Sequence, residues 1–182
     1  MSAQARRPVI GGIAGGVGTT TVAHLLDGID VGVVEANGTQ AVDVLVTRAR
    51  AVAVSWAIAT AQQMPVRPVL VVVADSEGRW PSVVRRRLKM AAANLDTPVL
   101  RLGWLSPLAA SDNPWDLLAT SVFATERKTH RWAEVAREFC DELDHAVVTA
   151  LERETSTAED ISDPEPADKH EPALHARVLT DN

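Results

Sequence analysis

The stretch Gly11-Gly12-Ile13-Ala14-Gly15-Gly16-Val17-Gly18-Thr19-Thr20-Thr21 holds the densest chemical potential in the chain. Closely spaced glycines let backbone N–H groups converge on an anion, and a helix opening behind them adds partial positive charge at its first turn. A threonine hydroxyl at the head of such a helix can ligate Mg²⁺ carried in on phosphates. The stretch follows the β-branched run Val9–Ile13 and precedes a helix-like segment from about Thr19 to Leu26. That is the strand–loop–helix context a phosphate-binding loop requires. What it lacks is charge: no lysine or arginine occurs between Gly11 and Thr21.

Ala14–Thr21 resembles the deviant Walker A box of ParA/MinD-type ATPases, which reads Lys-Gly-Gly-Val-Gly-Lys-Thr-Thr. Carried over by position, Gly15, Gly16, Val17 and Gly18 match the phosphate cradle, Thr20 the Mg²⁺-binding hydroxyl, and Thr21 its neighbour. Ala14 stands where the family has the signature lysine that reaches across a dimer. Thr19 stands where it has the lysine on the β- and γ-phosphates, and Ile13 takes the place of its outer glycine. Val33-Val34-Glu35-Ala36-Asn37-Gly38 is similar to the family's Asp-x-x-Gly element, whose carboxylate meets the Mg²⁺ shell, with Glu35 one methylene longer. Asp75, after the run Val69–Ala74, falls where relatives read the base, although a turn cap through Asp75-Ser76-Glu77-Gly78 is the competing reading. Leu105-Ser106-Pro107 resembles the loop lining the family's base pocket, which implies a binding role for Pro107.

The two missing lysines matter energetically. One unit charge about 4 Å from a phosphate oxygen is worth roughly 4 kcal/mol at an effective dielectric near 20. Losing half of that weakens binding by about 30-fold. Stabilising charge on a transferring phosphoryl group suffers more, because catalysis there is almost wholly electrostatic. The resemblance therefore implies a pseudo-ATPase or a weak nucleotide-binding protein, with ATP and Mg²⁺ held weakly or not at all. Partitioning, cell-division positioning or mobile-element and secretion machinery would be its setting. A slow Mg²⁺-dependent ATPase that borrows charge from Arg48 or Arg50 is one alternative. A nucleotide-independent scaffold, its glycine loop a bare turn, is the other.

The elements that must position these residues alternate. Strands are expected at Val9–Ile13, Val31–Glu35, Val42–Thr47, Val69–Ala74 and Val99–Trp104. Helices are expected at Ala49–Gln63, stopped by Pro65 and Pro68, and at Pro81–Ala93, with Val84, Leu88 and Ala91 on one face. Two more follow Pro114, at about Trp115–Phe123 and Lys128–Leu151. Such alternation implies right-handed crossovers. The fold class expected is α/β, a doubly wound, mainly parallel five-stranded sheet with helices on both faces.

Composition divides the 182 residues in two. Residues 1–151 read as one compact domain, and 46% apolar residues across the chain suffice for its core. From Glu152 onward there are nine acidic residues against three basic, which accounts for the whole net charge of −6. That segment, 152–182, reads as an acidic disordered tail, with Ala173–Leu179 a candidate docking patch. No apolar run approaches the roughly 20 residues a membrane span needs, no secretory signal is apparent, and a cytoplasmic location is expected. A single cysteine, Cys140, excludes an internal disulfide and reads as a packed thiol, and the five histidines show no metal-ligand spacing. Arg85, Arg86 and Lys89 can share a helix face, so nonspecific DNA contact is conceivable, but so few charges give only modest, salt-sensitive affinity. A protein partner and a homodimer complete the expectations, and the tryptophans are read as anchors of sheet edge and helices.

Overall fold

The computed structural model describes residues 6–35, 40–124 and 130–161, with side chains described as far as Arg153 in the last segment. Five strands form one sheet: β1 (Val9–Gly12), β2 (Ile29–Val33), β3 (Val44–Arg48), β4 (Val69–Val73) and β5 (Val99–Leu102). Every pairing is parallel and the order is β2-β1-β3-β4-β5. The first four residues of β3 and of β4 are buried, as unbroken apolar runs in a sheet covered on both faces should be.

Side-chain alternation splits the core in two. Ile10, Val44, Val46, Val69 and Val71 point toward α1 (Thr19–Leu25), α5 (Pro114–Ser121) and α6 (Arg131–Ile161). Leu45, Leu70 and Val72 point the other way, toward α2 (Ala51–Gln63) and α3 (Ser82–Asn94). The expected doubly wound α/β architecture is the one observed. The start of the sheet is pinned by Asp43, whose carboxylate accepts the Val9 N–H at 2.6 Å and two Arg6 guanidinium bonds at 2.7 and 2.8 Å.

The connection from β2 to β3 carries no helix among its described residues. It passes directly over β1, with Val34 and Val42 buried against Gly11. A Cβ at Gly11 would collide with the Val34 side chain and press on Val42, so the crossover exists only because that strand position is bare.

Several boundaries move. β2 begins at Ile29, two residues before the expected Val31, and stops at Val33. Its pairing starts at Val9↔Ile29, and the Ile29 N–H donates to the Pro8 carbonyl at 2.8 Å. It is an edge strand, exposed at four of its five positions, so burial left little imprint on its sequence. A one-turn helix, α4 (Ser106–Ala109), with Pro107 as its second residue, stands where the sequence predicts a loop. α6 runs on to Ile161, so the acidic segment begins as helix: Ala150, Leu151, Glu152 and Arg153 are strong helix formers that carry the turn past the composition change. Its expected start near Lys128, and the patch Ala173–Leu179, lie outside the described residues. Among the described residues no helix is long and apolar enough to cross a membrane.

Candidate functional site

The strand order reverses between β1 and β3, since β2 lies on one side of β1 and the remaining strands on the other. In open parallel sheets a ligand crevice opens at such a point, beyond the carboxyl ends of the strands. The glycine loop leaves β1 there, and Arg48-Ala49-Arg50 leaves β3 beside it.

Within the loop, Gly16 and Gly18 hold φ of +68° and +96°, backbone that a side chain would strain. Gly18 is the N-cap of α1, and no side chain caps that end. Val17 turns inward and is buried in the core. Thr19, at the expected lysine position, is also buried, with its hydroxyl packed against the bare face of Gly12. Gly15 is different: a Cβ there meets nothing within 4 Å.

The following threonines diverge. Thr20 is exposed and its hydroxyl donates to Asp30 on β2 at 2.7 Å, while the other Asp30 oxygen accepts the Gly32 N–H at 2.8 Å. Thr21 lines a cavity on the α1 side of the sheet edge. Glu35 lies exposed, two residues beyond β2, and Gly38 falls outside the described residues. Among the described residues no three His, Cys, Asp or Glu side chains gather as a metal site. Thr20 and Asp30 bring two oxygen donors together beside the edge strand, fewer than a dedicated metal cage supplies. Asp30 carried no motif in the sequence; only the pairing of β2 with β1 brings it beneath Thr20.

Charge enters from β3. The Arg48 Nε donates to the Gly16 carbonyl at 2.6 Å, and its Nη1 to Asp75 Oδ1, also at 2.6 Å. Arg50 Nε donates to Asp75 Oδ2 at 2.5 Å. Arg50 first and Arg48 second hold the Asp75 carboxyl below the usual carboxylate range through these hydrogen bonds. Both oxygens of Asp75 thus face guanidinium groups, where the resemblance implied a base reader. The cluster keeps one net positive charge at the reversal point.

Two cavities meet at Ala74. The first, about 230 Å³, has Gly16, Gly18 and Arg48 at one side and Trp104, Leu105 and Trp115 at the other. The second, about 390 Å³, is bounded by Arg50, Asp75, Arg79 and Trp80 at the start of α2 and α3. Trp80 and Trp104 line these cavities. Trp115 also stacks on His24 of α1, ring centroids 4.0 Å apart and planes 17° from parallel. Pro107 lines neither cavity; its neighbour Ser106 donates to Glu77, tying α4 to the turn after β4.

Other candidates stand apart. Arg85, Arg86 and Lys89 are exposed on α3, and between them Arg87 donates to the Ala51 carbonyl of α2. Burial, reinforced by Asp141 and Asp144, pushes the Cys140 thiol up to about 12, which leaves it protonated and unreactive near neutrality. Comparison with protein-family models, curated proteins and solved structures finds no match for this chain.

Proposed function

We propose that the chain is a degenerate ParA/MinD-like P-loop protein that binds a phosphate-bearing nucleotide weakly and hydrolyses it poorly or not at all. The observation that carries this reading is Arg48, which spans the β1/β3 reversal to bond the Gly16 carbonyl. The glycine loop and a guanidinium share one crevice at the place where doubly wound sheets take ligands. Gly15, Gly16 and Gly18 would shape the phosphate seat, and Thr20 with Asp30 would meet Mg²⁺. ATP is the nucleotide and partitioning, division positioning or mobile-element and secretion machinery the setting that the motif resemblance suggests.

The same contact favours a second reading, a slow Mg²⁺-dependent ATPase in which Arg48 supplies the charge that Ala14 and Thr19 do not. Calorimetric titration with ATP·Mg²⁺ tests the first reading: weak, saturable heat is expected, and none up to millimolar ligand overturns it. Turnover by the purified protein that is lost in Thr20→Ala would establish the second.

A further inference from the structure

Asp75 occupies an unusual position for a group at a proposed anion site. Its two oxygens each take a guanidinium bond, one from the arginine that also holds the glycine loop and one from Arg50. All three side chains retain access to water, with relative exposures of 24% for Asp75, 38% for Arg48 and 67% for Arg50. Arg48 lines the cavity on one side of Ala74, while Arg50 and Asp75 line the cavity on the other. A carboxylate gripped by two guanidiniums has the geometry a phosphate oxygen pair would take in its place.

We propose that Asp75 is an internal anion that keeps the Arg48–Arg50 pair occupied, and that a phosphate group enters by exchanging with it. This rests on the nucleotide reading of the same crevice but makes a separate claim about how the site is kept in check. The entering group is a diphosphate or the phosphate chain of a nucleotide, because two arginines less one carboxylate leave one positive charge, whereas displacing the carboxylate exposes two. Both ion pairs stay open to water and are screened there, so exchange is within reach of a multiply charged ligand. The exchange also frees Arg48 to choose between the ligand and the Gly16 carbonyl, coupling occupancy to the conformation of the glycine loop.

The test is calorimetric titration of the full chain with inorganic pyrophosphate and, separately, ATP·Mg²⁺. Asp75→Asn keeps an acceptor and removes the charge; it is expected to tighten pyrophosphate binding about tenfold, after solvent screening of a charge a few ångströms away. Adding Arg48→Gln to it is expected to abolish that gain. In the unaltered chain, the Arg48 Nε–H resonance is expected to shift on adding pyrophosphate, which keeps the test available should the variants fold poorly. If the unaltered chain binds ATP·Mg²⁺ but Asp75→Asn binds pyrophosphate no more tightly, the exchange is wrong and the nucleotide reading stands. A static Arg48 resonance at saturating pyrophosphate likewise overturns the exchange. If neither protein binds either ligand, both ideas fall.

Discussion

Gly11 and Gly15 lie in one short stretch of sequence yet answer to different demands. At Gly11 the demand is spatial: Val34 and Val42 cross so close above β1 that a methyl group has no room. At Gly15 there is no such demand, because added carbon would enter open space and its φ is not in the left-handed region. The fold explains the first glycine and leaves the second unexplained. Gly11 is therefore bare because of packing, and Gly16 and Gly18 because of their left-handed backbone, whereas Gly15 is bare for a reason that neither supplies.

Four measurements can break or sharpen that contrast. Gly11→Ala is expected to cost about 1–3 kcal/mol, the usual penalty for forcing a methyl into a packed core. A fall in the urea midpoint with unchanged slope would register it, and an unchanged midpoint would sink the packing explanation. Gly18→Ala is expected to cost about 1–2 kcal/mol through its left-handed backbone, with Val73 already within 3.3 Å of the new carbon. Acid titration of Asp75 comes next. Its carboxyl is held low by Arg50 and Arg48, so its contribution is fully present above the ordinary carboxylate range near 4 and is lost as pH falls below that range. Asp75→Asn is expected to flatten the acid limb of the stability curve by less than about 1 kcal/mol, since both arginine partners stay open to water. Smallest for the fold is Gly15→Ala, within about 0.5 kcal/mol. If that variant melts like the parent and still loses nucleotide heat, Gly15 is bare for a ligand; if it loses neither, the contrast has no functional meaning.

The sequence displayed the central architecture because burial writes strongly on it. Val69–Val73 is apolar throughout since both of its faces are covered, and Val84, Leu88 and Ala91 repeat at helical spacing since one side of α3 is buried. β2 lies two residues from where the sequence predicts it because nearly all of it faces solvent and carries little pattern. The single turn of α4, with a proline in it, reads the same as a loop. At the end of α6 net charge argues for a tail while local propensity favours helix, and the helix continues. The glycine loop was legible from spacing alone, and Arg48 could be named only as one of two nearby cations. Its bond to Gly16 follows from β3 lying beside β1, a tertiary fact. The partnership of Asp75 with both arginines, and of Thr20 with Asp30, depends likewise on strand order. Side chains that meet across a sheet edge leave no periodic trace.

The edge position of β2 has a dynamic consequence. With no helix in its described connection and most side chains in water, β2 is held chiefly by backbone bonds to a single neighbour. Its amide protons are expected to exchange with solvent through local opening, and those of the buried β3 and β4 only on unfolding of the whole domain. Because Asp30 rides on that strand, each such opening would also withdraw its carboxylate from Thr20, whereas Arg48 sits on the buried β3.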